Sequence, residues 1–365
     1  MQNRILTKEN SKILQGIAIL MMVYHHIFID GNLWFVNEPT SLLNMLNFIN
    51  IGKASTFQMT FAWFCKICVA IFAFTSGFGI FAQLENKCKE KIELKEMYKY
   101  CFKRFLSFFK VYAFCFLFFN ICQILIVGFD AFDYSFPRFI INLLGLAADY
   151  NGTLWYVPLY YCMIFISPLV YVFLKRVDLK KFIVVLICAF VLSFAIAFVS
   201  GNLLPFVKEI SKFIQHYQTI YILIFMEGMF CGKYELIEYI YSKLSLLTSI
   251  LLVICVFIVR TLLIRAPSDS LFDLVLIVPF VVGTIKAISY SKLLIKLLSF
   301  VGKYSAYIWY SHAYFYSYLF FDLVIRCDMS LLVYIQVVTY SLTCGILFSK
   351  CIKLIEQGIN KLKKC

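Results

Sequence analysis

The chain has four histidines, and two of them stand side by side in its first long apolar run, LQGIAILMMVYHHIFI, as His25 and His26. Imidazole is the one side chain whose unperturbed pKa lets it take or give a proton near neutral pH. In hydrocarbon it loses solvation unless it is paired or faces a wet cavity, so an ionisable group placed there points to chemistry rather than anchorage. Successive helical residues project about 100° apart, which keeps His25 and His26 from facing one cavity equally. One is expected to react and the other to support it or to meet lipid. The remaining polar groups inside long apolar runs are Ser76, Lys110, Glu227 and His312. At 1.5 Å per residue, His26 lies about 21 Å into its run and His312 about 15 Å into its own, so the two could share a layer. For His312 a bonded packing role is an equally good account. Glu227, in FMEGMFCG, reads either as half of a buried pair with Lys110 or as a pocket residue. The spacing of Gly228 and Gly232 lets helices approach closely, and Ser76-Gly77-Phe78-Gly79 reads first as another tight helix contact.

A second candidate lies in the segment 83–104, which holds seven basic residues and ends in Lys103-Arg104. Most of these lysines suit anchoring to anionic lipid. Arg104, at the start of an apolar run, is the one whose planar fork could pair with a phosphate-bearing molecule. There is no P-loop, no dinucleotide glycine fingerprint and no nucleophile elbow of the G-x-S-x-G kind. Cys65 and Cys68 form a C-x-x-C without a second pair at zinc-site spacing, so no metal is expected. Most of the 14 cysteines sit inside apolar runs and read as small apolar fillers, with no disulfide framework.

The elements that must hold these residues are membrane spans. Hydrophobic residues make up 62% of 365 and charged residues 15%, with a mean hydropathy of +0.85. A soluble domain is about half apolar and a quarter charged, so this chain has too little polar surface to face water. Runs long enough to cross a bilayer as helices fall near 12–30, 64–82, 105–128, 155–174, 182–200, 217–233, 244–260, 270–286, 302–321 and 331–349. They are too long for barrel strands and do not alternate. The expectation is an all-α polytopic membrane protein of about ten transmembrane helices, forming one membrane-embedded domain over residues 1–365. With the N-terminus inside, the inner segments hold 25 Lys and Arg and the outer segments eight. That bias places both termini in the cytoplasm. The same distribution explains the net charge of +14 without a nucleic-acid partner, since the lysines cluster in short loops between spans. The stretch 129–154 reads as a short surface helix or re-entry over the outer mouth.

Taken in order, these residues resemble the integral-membrane acyltransferase family 3, whose members acylate bacterial surface sugars. The family's first-span pattern of Arg followed by His falls on Gln15 and His26. Its F-x-x-SGF resembles FAFTSGF, with Ser76. The R-x-x-R…Y entry to the third span resembles RFLSFFKVY, where Arg104 and Tyr112 match and Ser107 stands for the second Arg. LWYVPLYYCMIFISP, GMFCG and SAYIWYSH match three further segments and bring in Trp155 and His312. The resemblance runs from residue 11 to about 350 and departs from the family at Gln15 and Ser107.

The resemblance implies transfer of an acyl group, acetyl above all, from cytoplasmic acyl-coenzyme A as a co-substrate, with no permanently bound cofactor. The acceptor would be a hydroxyl of an exported polysaccharide or its lipid-linked precursor, at the inner (plasma) membrane of a bacterium. His26, supported by His25, would be general base or transient acyl carrier. Arg104, Lys103 and Gln15 would hold the donor. Ser76, Tyr112, Trp155, Glu227 and His312 would line the pocket. The other readings are a saccharide transporter or flippase using the histidines as a proton relay, and a degenerate partner of a polysaccharide assembly machinery.

Overall fold

The computed structural model describes residues 5–29, 57–87, 93–128, 135–185, 187–188, 191, 218–263, 269–320, 324 and 330–362. Among these residues every regular element is helical and there is no strand. In chain order they are α1 (Lys8–Phe28), α2 (Phe57–Cys65), α3 (Cys68–Lys87), α4 (Leu94–Val127), α5 (Phe136–Leu143) and α6 (Tyr156–Arg176). Then come α7 (Gln218–Tyr234), α8 (Leu236–Lys243), α9 (Leu246–Leu262), α10 (Asp273–Ile288), α11 (Lys292–Lys303), α12 (Ser305–Ala313) and α13 (Ser330–Leu362). A π-turn over Tyr314–Tyr318 continues α12 directly. In lipid each backbone N–H and C=O must be satisfied within its own segment, which is why long apolar runs resolve into helices.

Among the described residues, five stretches are long and apolar enough to cross a membrane: Lys8–Phe28, Gln58–Lys87, Leu94–Val127, Gly152–Arg176 and Leu331–Leu362. Lipid accounts for the apolar face that α4 leaves uncovered, where Leu125 is 79% exposed. The other expected spans fare differently. The run 182–200 falls largely outside the described residues. Those at 217–233 and 270–286 become α7 and α10, of 17 and 16 residues, near the lower end of the lengths that cross a bilayer. The run at 244–260 becomes α9, which qualifies only together with α8, bent away from it by 116°. The run at 302–321 is broken, because Tyr304 leaves helical geometry between α11 and α12 and regular α-helix stops again at Ala313. α7 gives way to α8 at Glu235, which takes φ 51°, a left-handed conformation that ends a helix. α9 restarts behind a reciprocal cap, in which Ser245 and Thr248 bond each other's backbone N–H.

The chain divides into two compact units. The first comprises Met1–Ala18, Trp63–Cys101 and Cys162–Gly302. Its centre is the crossing of α3 and α7, made possible by glycine on both sides. A Cβ at Gly77 would overlap the Phe225 carbonyl, and one at Gly228 would overlap the Phe74 carbonyl. Gly232, a turn later, admits the ring of Phe81. A similar approach joins α1 to α11, where Gly16 meets Leu298 and Gly302 meets Lys12, each through a backbone carbonyl. Close backbone approach is how helices gain packing energy where lipid supplies no hydrophobic drive. Lys233 closes the end of α6, donating to the Leu174 and Val177 carbonyls at 2.6 and 2.7 Å.

The same unit buries an ion pair between α9 and α10. Arg260 and Asp273 are 1% and 0% exposed, with Nε to Oδ1 at 2.7 Å and Nη2 to Oδ2 at 3.2 Å. Arg260 Nη1 also donates to the Trp63 carbonyl at 2.6 Å, which ties α2 to the α9–α10 pair.

The second unit comprises Ile19–Ala62, Phe102–Tyr161 and Lys303–Cys365. Here α12 packs on α13 through Gly345, which lies against Tyr304 and Tyr307. Tyr334 of α13 donates to the Leu20 carbonyl and sets its ring edge-on to Tyr24. The expected helix within 129–154 is α5, begun by Pro137 in its first turn, while residues 129–134 lie outside the described set. Between α5 and α6, Gly145 takes φ 70° so that the chain can turn against Val157 and Tyr161, a place no side chain would fit.

Two outcomes are expected in thermal unfolding of the detergent-solubilised protein. Asp273→Ala should destabilise by about 3–5 kcal/mol, because it strands a buried guanidinium, and pairing it with Arg260→Met should recover most of the loss. Gly228→Val should lower the melting temperature far more than Gly79→Val, since nothing stands within 4 Å of a Cβ at Gly79.

Candidate active site

The second unit brings three of the four histidines into a file. The ring of His26 lies 5.2 Å from that of His25 and 5.3 Å from that of His312, centroid to centroid. The outer two are buried, at 8% and 0% exposure, whereas His26 between them is half-buried. His25 Nδ1 lies 2.7 Å from the Ala62 carbonyl, and His312 Nδ1 lies 2.7 Å from the Trp309 carbonyl three residues earlier. A carbonyl only accepts, so each Nδ1 carries the hydrogen. His312 Nε2 is buried without a hydrogen-bond partner among the described residues. The file thus holds one half-buried imidazole between two whose Nδ1 hydrogens are held by backbone. Among the described residues, no group of three or more His, Cys, Asp or Glu is disposed to hold a metal ion.

Backbone geometry explains how His312 reaches this place. α12 carries it at its last turn, and the π-turn that follows lets Tyr314, Tyr316 and Tyr318 crowd around the helix end. Inserted π-turns of this kind recur at functional sites. Tyr316 lies 5.8 Å from His312, and Trp309, whose carbonyl holds His312, is itself held by Nε1 donating to the Thr153 carbonyl at 2.9 Å.

Arg104 and Lys103 belong to the same unit. Arg104 donates from Nε and Nη2 to the Tyr160 hydroxyl at 3.0 and 2.8 Å, with its guanidinium 5.9 Å from that ring. Lys103 is exposed, and so is Ser107 one turn on. Tyr112 is buried, donates to the Asn142 carbonyl and lies edge-on to Tyr310 at 5.6 Å. Trp155 is half-buried beside Tyr156, at the start of α6.

Gln15, Ser76 and Glu227 belong to the first unit. Gln15 is half-buried, three turns before His26 along α1. Ser76 and Glu227 each precede a glycine of the α3–α7 crossing. Glu227 is 8% exposed, and its Oε2 has no partner among the described residues. The pairing of Glu227 with Lys110 does not occur. Lys110 bonds Glu356, near the end of α13, in a half-exposed pair. The α13 helix runs on to Leu362, well beyond the expected end of that span, and so carries a carboxylate within reach of the lysine.

Sequence reasoning missed Tyr160 and Trp309, the residues that orient Arg104 and His312. Trp309 had a readable signal, since a histidine three residues along a helix can return its Nδ1–H to that carbonyl. Tyr160 had none beyond membership of an aromatic run.

Comparison with known proteins adds an independent finding. A family model described as an acyltransferase domain matches residues 10–350. No curated protein and no solved structure matches the chain. A match that takes in the histidine file, Arg104 and the α3–α7 crossing shows that this membrane-helical chain belongs to the acyltransferase family 3.

Proposed function

We propose that the protein is a multi-pass O-acyltransferase of a bacterial inner membrane, with about ten spans and both termini in the cytoplasm. It moves an acyl group, acetyl first of all, from cytoplasmic acyl-coenzyme A to a hydroxyl of an exported polysaccharide or its lipid-linked precursor. The observation that carries this reading is the half-buried imidazole of His26 between two imidazoles whose Nδ1 protons are committed to carbonyls.

In the step proposed, His26 takes the proton of the acceptor hydroxyl as its oxygen attacks the thioester carbonyl carbon. A C–O bond forms and the C–S bond breaks. The proton then passes from His26 to the departing thiolate, which leaves as coenzyme A thiol, so His26 ends as it began. His25 holds the helix end beside it through Ala62. Arg104 and Lys103 bind the donor's phosphates at the inner mouth, with Tyr160 presetting the guanidinium. Ser107, where the family pattern has a second Arg, is exposed and leaves Arg104 to carry that contact. Gln15 offers an amide where the pattern has charge. Tyr112 and Trp155 complete the lining of the proposed site.

Washed membranes given labelled acetyl-coenzyme A test the reading. The wild-type protein should label a membrane or glycan acceptor. His26→Ala should lower transfer by about 10²–10⁴-fold with the protein still inserted, and retained transfer would remove the proposed base. Arg104→Ala should raise the KM for acetyl-coenzyme A about tenfold, worth about 1.4 kcal/mol, with a smaller change in kcat. An unchanged donor KM would exclude that role. Failure of the wild type to label any acceptor would favour the transporter or the inactive assembly partner.

A further inference from the structure

Between α10 and α12 stands a helix that is too short to cross a bilayer and has three unlike faces. α11 has 12 residues, which reach about 18 Å against about 30 Å of hydrocarbon. It is cut off at both ends, since α10 stops at Ile288 and Tyr304 leaves helical geometry before α12 begins. At 100° per residue, Lys292, Lys296 and Lys303 fall within about 40° of one another and form a basic stripe. Leu293, Leu297 and Phe300 share the adjoining arc, about 60° wide. Leu298 and Gly302 lie on the third face, where α11 meets α1 backbone to backbone at Gly16 and Lys12.

The first two faces are bare. Leu293, Leu297 and Phe300 are 66%, 52% and 46% exposed, and all three lysines are exposed. None of these lysines has a carboxylate partner among the described residues. The neighbouring sequence offers none either, because the stretch 274–321 contains four lysines and no Asp or Glu. Tyr290, two residues before the helix, is exposed as well and suits the headgroup level, where aromatic rings with a polar tip collect.

An apolar face alone would call only for acyl chains. Lysines without counter-charge, running beside that face along the whole helix, call for phosphate at the depth where the chains begin. An amphipathic helix with this pairing of faces lies in the membrane interface and is held there by anionic lipid. A second copy of α11 is the poorer occupant, because it would set lysine against lysine.

We propose that α11 is a docking site for anionic phospholipid, with Leu293, Leu297 and Phe300 among the first methylenes of the acyl chains and Lys292, Lys296 and Lys303 on headgroup phosphates. The contacts of Leu298 and Gly302 pass this anchorage to the first turns of α1, the helix that carries Gln15 and His26. The proposal stands apart from the acyltransfer reading, and its test needs no activity.

Melting of the detergent-solubilised protein, titrated with phosphatidylglycerol or with phosphatidylcholine, provides the test, since a ligand of the folded state raises the melting temperature. Phosphatidylglycerol should give the larger rise, and about 0.5 M salt should shrink it. Lys292→Gln, Lys296→Gln and Lys303→Gln combined should raise the phosphatidylglycerol concentration for half the rise about tenfold or more. Lys292→Arg, Lys296→Arg and Lys303→Arg combined keep the charge and should leave it within about twofold. Without lipid the three proteins should melt alike, because the lysines have no partners to lose. Leu293→Gln with Leu297→Gln should weaken the response to both lipids. Equal rises with the two lipids, or a phosphatidylglycerol rise unmoved by the Gln substitutions, would overturn the proposal. An equal rise with inorganic phosphate would assign the lysines to a free anion and overturn it too. So would a dimer, seen by light scattering, that Leu293→Gln with Leu297→Gln disperses while no preference for phosphatidylglycerol is found.

Discussion

A polar side chain inside hydrocarbon must be satisfied by the protein that holds it, because lipid offers neither donor nor acceptor. Most of this structure follows from how that demand is met or left open. Where it is met, the result is architecture. Arg260 and Asp273 consume each other between two apolar helices, and the spare arm of the arginine fixes a third segment through Trp63. Where it is left open among the described residues, as at His312 Nε2 and Gln123, a buried polar group stands without a hydrogen-bond partner.

The histidine file and the basic edge at Arg104 express the same division of labour. Backbone carbonyls position His25 and His312, and a tyrosine hydroxyl positions Arg104. Support from rigid elements is what makes such placement accurate. The file sits on α1 and α12, with the π-turn immediately after, and Arg104 sits on α4. The glycine crossings of α3 with α7 and of α1 with α11 let the first unit pack backbone on backbone, leaving little slack in the helices that carry Ser76, Glu227 and Gln15.

Much of this was legible in the chain, for reasons that can be stated residue by residue. Apolar runs near 20 residues declare helices, and among the described residues five stretches are long and apolar enough to span. Glycines in S-G-F-G and E-G-M-F-C-G declared close helix contacts, and Gly77 and Gly228 make them. His26 and His312 could be placed in one layer by counting residues, since helix rise is constant. The illegible parts depended on partners distant in sequence. Arg260 looked like one more outer loop charge, and nothing local linked it to Asp273 or Trp63. Lys110 looked like a partner for Glu227 because both lay in apolar runs, while its true partner, Glu356, lay in a segment that read as a tail. The break at Tyr304 and the π-turn at Tyr314–Tyr318 left no mark, because YFYSY is as good a continuation of a helix as of a π-turn. Gln123 carried no signal at all until its lack of partners could be seen.

The carbonyl bonds to His25 and His312 have a consequence for ion movement. A chain of imidazoles conducts protons only if each ring accepts on one nitrogen while releasing from the other. In His25 and His312 the releasing nitrogen would be Nδ1, whose hydrogen lies 2.7 Å from a main-chain oxygen that can accept a hydrogen bond but does not take up a proton. Onward release from either outer ring would first have to break that bond, so the backbone itself resists proton traffic through the file.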